Sequence, residues 1–462
     1  MGNWFAYIAI GIWPIVAVWL FRTKPMQEAT LWTILGGHMF LPVGTAIDFS
    51  MIPPLDKASI PALAAFIGCR FIAGKRIPIF GQNRLVSWLL LLYIVGPFIT
   101  AELNDTPVIQ RARFLPGMTH YDALSAVAGQ FIVFIPFFIG RQFFRTYENQ
   151  LLMFRTLVLA SLGYSVLMLF EIRMSPQLHT WIYGYFPHSS FGQQVRYGGF
   201  RPVVFMGHGL LVSFFAAIAL ISATVLWQLK YKIRRFSPAN VTYYLMLILV
   251  LCKSAASILY GFFALLLIKI TKVKTQLRIA VILASMALLY PTMSIMNIFP
   301  HQPLLELVRS IDTERAESMG VRFENERILL EHGRKNSFFG WGSWGRNRVY
   351  DVESGKDVTV TDGLWVITFS QFGWAGFIAE FGLLAIPVFS AKKAASKLAN
   401  SHKELIMLAA HALLASLIII DQLPNSSLAP WLWLLVGILL GRSEAIIRKH
   451  REEASSNRAL LQ

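Results

Sequence analysis

The chain alternates long apolar runs with short polar or basic segments along its whole length. A run of about 20 apolar residues is long enough to cross the hydrocarbon core of a bilayer as one helix. Such runs fall near residues 4–21, 29–46, 58–73, 85–101, 122–140, 149–170, 203–227, 279–297, 363–389, 404–420 and 427–441. This pattern predicts an all-α integral membrane protein.

The apolar stretch 240–268 does not fit that length, because it is long for one membrane helix and short for two. The polar pair Lys253-Ser254 lies near its middle. If the stretch forms a hairpin of two short helices, every basic cluster of the chain falls on one face of the membrane, whereas a single helix would separate the last three clusters from the others. The clusters are Arg22/Lys24, Lys75/Arg76/Arg84, Arg141/Arg145, Lys230/Lys232/Arg234/Arg235, Lys272/Lys274/Arg278, Lys392/Lys393/Lys397 and the tail from Arg442 to Arg451. Because basic loops stay in the cytoplasm, we predict the hairpin, about 12–13 spans in total and an amino terminus outside.

Composition supports the membrane assignment and changes the interpretation of the net charge. Of 462 residues, 55% are hydrophobic and only 15% are charged, whereas a soluble domain carries about 25% charged residues. These values exclude a disordered chain, a disulfide scaffold and an ordinary cytosolic enzyme. Cys69 and Cys252 lie in apolar stretches and are interpreted as packing residues. Since the basic residues fall on one predicted face, the net charge of +17 indicates membrane orientation and contact with anionic lipids, with no nucleic-acid partner.

The predicted spans divide the chain into four parts. They are an amino-terminal transmembrane bundle (1–297), a large extracytoplasmic loop that contains helices (298–362), carboxy-terminal transmembrane helices (363–441) and a basic cytoplasmic tail (442–462). Within the large loop, residues 312–332 are predicted to form a helix with one polar and one apolar side. Arg315 and Arg322 share a face of this helix because they are about two turns apart.

A glycine- and tryptophan-rich segment follows the predicted loop helix. Gly340, Gly342 and Gly345 alternate with Trp341 and Trp344, a pattern that predicts a tight turn with exposed aromatic rings. Such rings stack on the apolar faces of sugars or lie at the membrane interface. The sequence leaves both uses open.

Four segments between residues 199 and 376 together resemble the O-antigen ligase and Wzy-type polymerase superfamily. The members of this superfamily are integral-membrane glycosyltransferases of the GT-C type. The four segments are Lys253 to Ser257 at the break, Gly199 to Gly209 before a span, Arg322 to Gly342 in the long loop, and Gly373 with Gly376 in the next span. The resemblance covers residues 195–390. Its specificity comes from the order of the segments within a polytopic chain.

One position departs from the ligase pattern. The ligases of this family carry a histidine eleven residues before the first of those span glycines, and this chain has Asp362 there, followed by Gly363. The departure counts against a ligase and less against a polymerase.

The resemblance implies that the chain transfers an oligosaccharide from an undecaprenyl-diphosphate carrier, without a metal or other cofactor. Negative charge develops on the leaving diphosphate, so fixed cations beside it accelerate its departure. Arginine suits this role because its planar guanidinium binds phosphate oxygens in pairs and stays charged. The catalytic candidates are Arg201, Arg322 and, as base for the acceptor hydroxyl, Asp362. The substrate-binding candidates are Arg196, Arg309, Arg315, Lys253, His208, Trp341 and Trp344.

Several of these residues also have a structural interpretation that the sequence leaves open. Arg315 and Arg322 have glutamates at helical spacing with which to pair. Arg201 precedes Pro202 at the start of a span, where it is placed to anchor at the membrane interface. Asp362 is placed to cap the span that follows it.

The remaining candidates have equally plain alternatives. Trp341 and Trp344 could belong to the aromatic belt at the membrane interface. Lys253 could lie at the water boundary, and His208 could be a hydrogen-bonded histidine of the core. Hydrogen bonding between helices is the plainest role for three polar residues in or near spans, Glu380, His411 and Asp421.

The first predicted function is therefore a polymerase that joins lipid-linked repeat units into exopolysaccharide or O-antigen at the periplasmic face of a bacterial inner membrane. Its partners are the undecaprenyl-diphosphate-linked donor and acceptor and membrane lipids, and a chain-length regulator is left open. The first alternative is a ligase that transfers the glycan to lipid A-core. A transporter of lipid-linked sugars predicts matched breaks in two halves of the chain, but only the break at Lys253 is evident. A non-catalytic scaffold makes no demand for clustered arginines.

Overall fold

A computed structural model describes residues 2–49, 52–81, 83–110, 113–196, 198–360, 362–398 and 402–460, apart from the side chains of residues 52, 110, 314, 315 and 458–460. The helices, in chain order, are α1 (Trp4–Thr23), α2 (Met26–Phe40), α3 (Ser59–Ile67), α4 (Arg84–Glu102), α5 (His120–Phe143), α6 (Tyr147–Met174), α7 (Leu178–Tyr183), α8 (Gly209–Gln228), α9 (Pro238–Leu251), α10 (Ala255–Ile270), α11 (Val273–Ile295), α12 (His301–Arg309), α13 (Thr313–Arg334), α14 (Leu364–Ala395), α15 (His402–Asp421) and α16 (Pro430–Leu460). Short strands pair as antiparallel hairpins in the loops, β1 (Ala46–Phe49) with β2 (Ile52–Asp56), β3 (Val108–Gln110) with β4 (Arg113–Leu115), and β5 (Val195–Arg196) with β6 (Gly199–Phe200). A π-helical turn, Gly68–Ile72, extends α3, and a 3-10 turn, Phe191–Gln194, precedes β5.

The helices confirm the predicted class. In the part of the chain that the structure describes, nine helices are long and apolar enough to cross a membrane, and α3, α9 and α10 are shorter apolar helices. The chain is thus an all-α protein with the helix content of a multi-pass membrane protein. α8 is the most buried of the long helices and packs against α6, α9, α10 and α15, so it forms the centre of the bundle.

The apolar run 29–46 is shorter as a helix than predicted. α2 ends at Phe40, and residues from Ala46 onward form β1. Pro42 and Gly44, which lie between them, account for this end, since proline removes a backbone donor and Gly44 adopts a φ of 73°.

Residues 238–270 form the predicted hairpin. A break at Lys253, which has a left-handed φ of 52°, separates α9 from α10. The Trp227 ring at the end of α8 contacts Tyr243 near the start of α9, with ring centroids 5.5 Å apart. The same ring contacts Lys269 near the end of α10, whose Nζ lies 3.7 Å from the ring centroid. The start of α9 and the end of α10 therefore lie together at the level of Trp227, and the turn at Lys253 lies at the opposite end of the hairpin.

Side-chain contacts define two opposite faces of the bundle. On the first, named the loop face, Arg346 of the long loop donates to the carbonyl oxygens of Pro116 (2.8 Å) and Thr106 (3.1 Å). On the second, named the basic face, Arg141 at the end of α5 forms two hydrogen bonds with Glu444 of α16 (2.7 and 2.9 Å). Two cavities on this face collect residues from six of the predicted basic clusters, Lys24, Arg84, Arg145, Arg234, Lys393 and Arg448. Their grouping agrees with the prediction that these clusters share a face.

The long loop is fixed to the bundle at an interruption of α14. Gly373 has φ 62° and ψ −156°, a conformation that is essentially restricted to glycine. A Cβ on Gly373 would lie 2.4 Å from the Phe338 carbonyl carbon, and one on Gly340 would lie 2.4 Å from that of Gln371. Backbone hydrogen bonds join the two segments, from Trp341 N to Ser370 O (3.0 Å), Gly342 N to Gln371 O (2.8 Å), Trp374 N to Ser337 O (2.8 Å) and Ala375 N to Phe338 O (3.0 Å). The glycine-rich segment of the long loop and the glycine at the interruption of α14 therefore meet in space.

Candidate functional site

A cavity of about 740 Å³ lies at the loop face. Its walls come from the segment before α8, the start of α8, α13, the end of the long loop and the loop between α15 and α16. Half of the ten candidate residues line it, namely Arg196, Arg201, His208, Arg322 and Asp362. Three arginines and the candidate base thus converge on one pocket.

Arg201 is buried in the wall of this cavity, with 7% of its surface exposed. Its Nη2 donates to Lys253 O (3.0 Å). Its aliphatic stem packs on Gly209, where a Cβ would lie 2.1 Å from Arg201 Cδ. This burial contradicts the alternative of an interfacial anchor, because a snorkelling side chain extends its charge into water or headgroups.

Lys253 joins two elements next to the cavity. Its Nζ donates to Arg196 O (3.2 Å) on β5, while its carbonyl accepts from Arg201. The tip of the α9–α10 hairpin is therefore bonded to the β5–β6 hairpin. Lys253 itself is not among the wall residues, so its role in the structure is to position Arg196 and Arg201.

A buried carboxylate fixes the backbone that carries Arg201. Glu171 Oε2 accepts from the N–H groups of Val203 (2.8 Å) and Val204 (2.7 Å), and Oε1 accepts from Leu178 N (3.0 Å). Val204 has a φ of 48°, which a β-branched residue adopts only where its surroundings impose it. Glu171 supplies those surroundings.

Arg322 projects from α13, whose bounds confirm the helix predicted over 312–332. Its Nε lies 3.8 Å from Asp362 Oδ2, and each side chain is 49% exposed. A half-exposed pair at this distance stabilises little. Arg322 therefore remains available to an anion that enters the cavity.

Asp362 is not a helix cap. The N-cap of α14 is Gly363, which has no side chain. The N–H of Leu364 donates instead to the carbonyl oxygens of Gln422 and Asn425 (3.1 Å each). The capping alternative is therefore wrong, and Asp362 remains a carboxylate that faces the cavity.

Glu326, one of the glutamates at helical spacing from the candidate arginines, is a neighbour of the cavity and is not among its wall residues. It lies one turn after Arg322 on α13, and Tyr290 Oη donates to its Oε2 (2.6 Å). Burial raises the pKa of Glu326 to about 7 and nearby Asp362 acts in the same direction, whereas Tyr290 and Arg322 act against it. A carboxyl group beside the cavity thus changes charge near neutral pH.

This raised pKa predicts a pH dependence of stability. Folded protein holds the Glu326 proton up to about pH 7, whereas an unfolded chain releases it near pH 4.5. Between these values the folded state binds more protons, so the free energy of unfolding should fall as pH rises through this window. Glu326→Gln should remove this part of the dependence in thermal unfolding of the purified protein.

A matched control is Glu306→Gln on the exposed side of α12, which should keep the wild-type pH profile. Identical profiles for wild type and Glu326→Gln would show that Glu326 does not titrate in this window.

His208 is the N-cap of α8. Its Nδ1 accepts from Leu210 N (3.0 Å), and its Nε2 lies 3.2 Å from Gln193 Oε1. Burial lowers the pKa of His208 to about 4, and His188 and the cavity arginines act in the same direction. The ring is therefore neutral at pH 7, and its single N–H, on Nε2, faces Gln193 Oε1, so His208 brings no positive charge to the cavity.

Three further candidates whose side chains the structure describes, Trp341, Trp344 and Arg309, are not among the wall residues of the cavity. Trp341 stacks on His332, with ring centroids 4.5 Å apart, and its indole N–H donates to His332 O (2.8 Å). The predicted exposure is thus wrong for Trp341 and confirmed for Trp344, which is 68% exposed. Arg309 is exposed at the end of α12, and the side chain of Arg315 lies outside the described part of the chain.

Sequence reasoning missed the loop between α15 and α16, which forms one side of the cavity. Asp421 accepts from Asn425 Nδ2 (3.0 Å) and Ser427 Oγ (2.9 Å), and these bonds order the loop. The polar run 424–427 between two spans was the available signal. Its position beside the long loop follows only from helix packing.

Two further polar residues make contacts within the bundle. His411 of α15 bonds to Gln150 of α6 and to Leu435 O of α16 (3.0 Å each), which confirms a role between helices. Glu380 accepts from Thr368 Oγ1 (2.6 Å) on its own helix, across the interruption of α14, so this bond is not between helices.

A smaller recess of about 260 Å³ adjoins the cavity on the side of the bundle interior. The two share Leu211, Ser426 and Ser427 as wall residues. The remaining walls come from α4, α5, α14, the loop after α15, and α16, and are mostly apolar, with Tyr93, Val133, Leu364, Glu380, Leu428, Ala429 and Trp433. A polar cavity with an apolar extension suits an amphipathic ligand.

Within the residues that the structure describes, no cluster of histidine, cysteine or acidic side chains is placed to hold a metal ion. The cations that line the cavity are guanidinium groups. In comparisons with known proteins, no protein-family model and no curated protein sequence matches this chain.

Proposed function

We propose that the chain is a membrane glycosyltransferase that polymerises undecaprenyl-diphosphate-linked oligosaccharide repeat units. The observation that carries this proposal is the convergence of Arg196, Arg201 and Arg322 on one cavity that adjoins an apolar recess. The cavity suits the diphosphate and first sugars of a lipid-linked donor, and the recess suits the start of its isoprenoid tail.

The proposed reaction needs two kinds of group. An acceptor sugar hydroxyl attacks the anomeric carbon of the donor, a glycosidic bond forms, and the bond from that carbon to the diphosphate oxygen breaks. The hydroxyl proton passes to the Asp362 carboxylate. The departing lipid diphosphate carries the developing negative charge, which Arg201 and Arg322 stabilise.

The proposal places the loop face on the periplasmic side of a bacterial inner membrane. Its support is the grouping of basic residues on the opposite face, because positively charged segments are retained in the cytoplasm. A lipid-linked repeat unit presents its glycan on the outer side, so the cavity and the substrate lie at the same boundary.

The direct test is reconstitution in proteoliposomes with a labelled lipid-linked repeat unit. Wild-type protein should lengthen the glycan, and Asp362→Asn should lower the rate by about 10²–10⁴-fold, because it keeps the shape of the side chain but not its basicity. Asp351→Asn, an exposed position in the same loop, is the control and should retain activity. Unchanged turnover by Asp362→Asn would remove the proposed base, and no turnover by wild type would contradict the enzyme assignment.

A ligase that transfers the glycan to lipid A-core is the alternative, since it would use the same donor. Deleting the gene separates the two functions. Loss of a polymerase leaves single lipid-linked repeats, whereas loss of a ligase leaves full-length chains on the lipid carrier. The replacement of the family's ligase histidine by Asp362 favours the first outcome.

A further inference from the structure

A second large cavity, of about 560 Å³, lies at the basic face, at the opposite ends of α4, α5, α14 and α16 from the site above. Among the described residues of its wall, Glu444 is the one that carries a carboxylate. The cationic wall residues, which define what we name the basic cavity, are Arg84, Arg141, Arg145, Lys393, Arg448 and Arg451.

The wall carries more positive than negative charge. Glu444 is engaged by Arg141, whose side chain is only 6% exposed. Arg448 has a looser partner in Glu452 at 3.7 Å. Among the described residues, no carboxylate forms an ion pair with the other four cations, Arg84, Arg145, Lys393 and Arg451.

Arg145 shows how this excess charge is held. Its Nε donates to Arg141 O (3.2 Å) and its Nη2 to Gln142 Oε1 (2.6 Å), which are neutral acceptors. Burial lowers the pKa of Arg145, and repulsion from Arg448 and Arg141 adds to this effect against the attraction of Glu444. An anion in the cavity would stabilise a cation in such surroundings.

The wall also has an apolar portion. Phe138 of α5 is 3% exposed, whereas Phe80 on the loop before α4 is 53% exposed, and Ile447 and Pro78 complete this part. Membrane orientation requires basic residues in loops, but not their convergence around one pocket with an apolar side. That combination matches a phosphate group attached to hydrocarbon.

We propose that the basic cavity binds a phosphate-bearing anion at the face opposite the catalytic site. The chemistry required is a phosphate or diphosphate with one or more negative charges, supplied by the headgroup of an anionic phospholipid or by a soluble polyphosphate. Basic pockets between membrane helices on the cytoplasmic side are known to bind the headgroups of anionic lipids.

The test compares two charge-matched double variants of the full-length protein. Arg84→Gln/Arg448→Gln removes two exposed cations of the basic cavity, and Lys232→Gln/Arg235→Gln removes two exposed cations elsewhere on the basic face. Binding of phosphatidylglycerol and, separately, of inorganic pyrophosphate is measured by native mass spectrometry, with phosphatidylcholine as the neutral lipid. The cavity variant should bind the anion about tenfold more weakly than wild type, while the control variant should match wild type.

The two ligands identify the source of the anion. Weakened binding of phosphatidylglycerol alone supports a lipid occupant, and weakened binding of pyrophosphate supports a soluble one. Equal affinities in wild type and the cavity variant for both ligands, or an equal loss in both double variants, would overturn the proposal. Gel filtration and circular dichroism confirm that each variant is folded.

Discussion

Replacing Arg322 by alanine is expected to lower the rate of glycan transfer by about 10²–10³-fold. The side chain is half exposed and its pairing distance to Asp362 is 3.8 Å, so its loss should leave the fold intact. The variant removes a positive charge from the wall of the cavity, where the proposed reaction places the departing diphosphate. The measurement is transfer from a labelled lipid-linked repeat unit in proteoliposomes.

The same helix supplies the control. Arg327 of α13 is held by Glu324 and Glu331 (2.6 Å each), and it does not line the cavity. Arg327→Ala should therefore transfer glycan at the wild-type rate. Arg322→Lys should fall between the two, because lysine keeps the charge but not the paired donors. Wild-type turnover by Arg322→Ala would remove this residue from the site.

Replacing Gly373 by alanine is expected to detach the long loop from α14 and to destabilise the protein by about 3 kcal/mol. The added Cβ would meet the Phe338 carbonyl carbon at 2.4 Å, at a backbone φ of 62°. Any side chain at position 373 would therefore clash with the Phe338 carbonyl group and would strain the backbone. Thermal unfolding of the purified protein and protease cleavage within 337–345 measure the effect.

Gly163→Ala is the matched control for this prediction. Gly163 lies inside α6, where a Cβ would meet nothing within 4 Å, and alanine favours a helix more than glycine does. This variant should be as stable as wild type or more so. Equal unfolding temperatures for Gly373→Ala and wild type would contradict the docking of the loop.

The lengths of the apolar runs were sufficient to predict an all-α protein with many apolar helices. The count of 12–13 spans stays a prediction, because nine of the described helices have full spanning length and α3, α9 and α10 are shorter. The hairpin at Lys253 followed from a rule about charge, and its geometry is confirmed by Trp227, which contacts both outer ends. The end of α2 was missed because Pro42 and Gly44 interrupt an otherwise apolar run. Local patterns therefore predicted helices well, except where single residues set their ends.

The candidate site was only partly predictable. Arg201, Arg322 and Asp362 were chosen by their chemistry and their order in the chain, but their convergence depends on contacts between distant segments. The exposure of Trp341 was predicted wrongly because its partner, His332, lies on the preceding helix and stacks on the ring. The polar run 424–427 indicated a loop between two spans, but its position as a wall of the cavity follows only from helix packing.

The arrangement of the arginines leads to one decisive measurement, the affinity of purified protein for undecaprenyl diphosphate compared with undecaprenyl monophosphate. We expect wild type to prefer the diphosphate by about tenfold, because paired guanidinium groups bind the additional phosphate. Arg196→Ala/Arg322→Ala should lose this preference, whereas Arg327→Ala should keep it. Equal affinity of wild type for the two lipids, or a double variant that still prefers the diphosphate, would contradict a diphosphate site formed by these arginines.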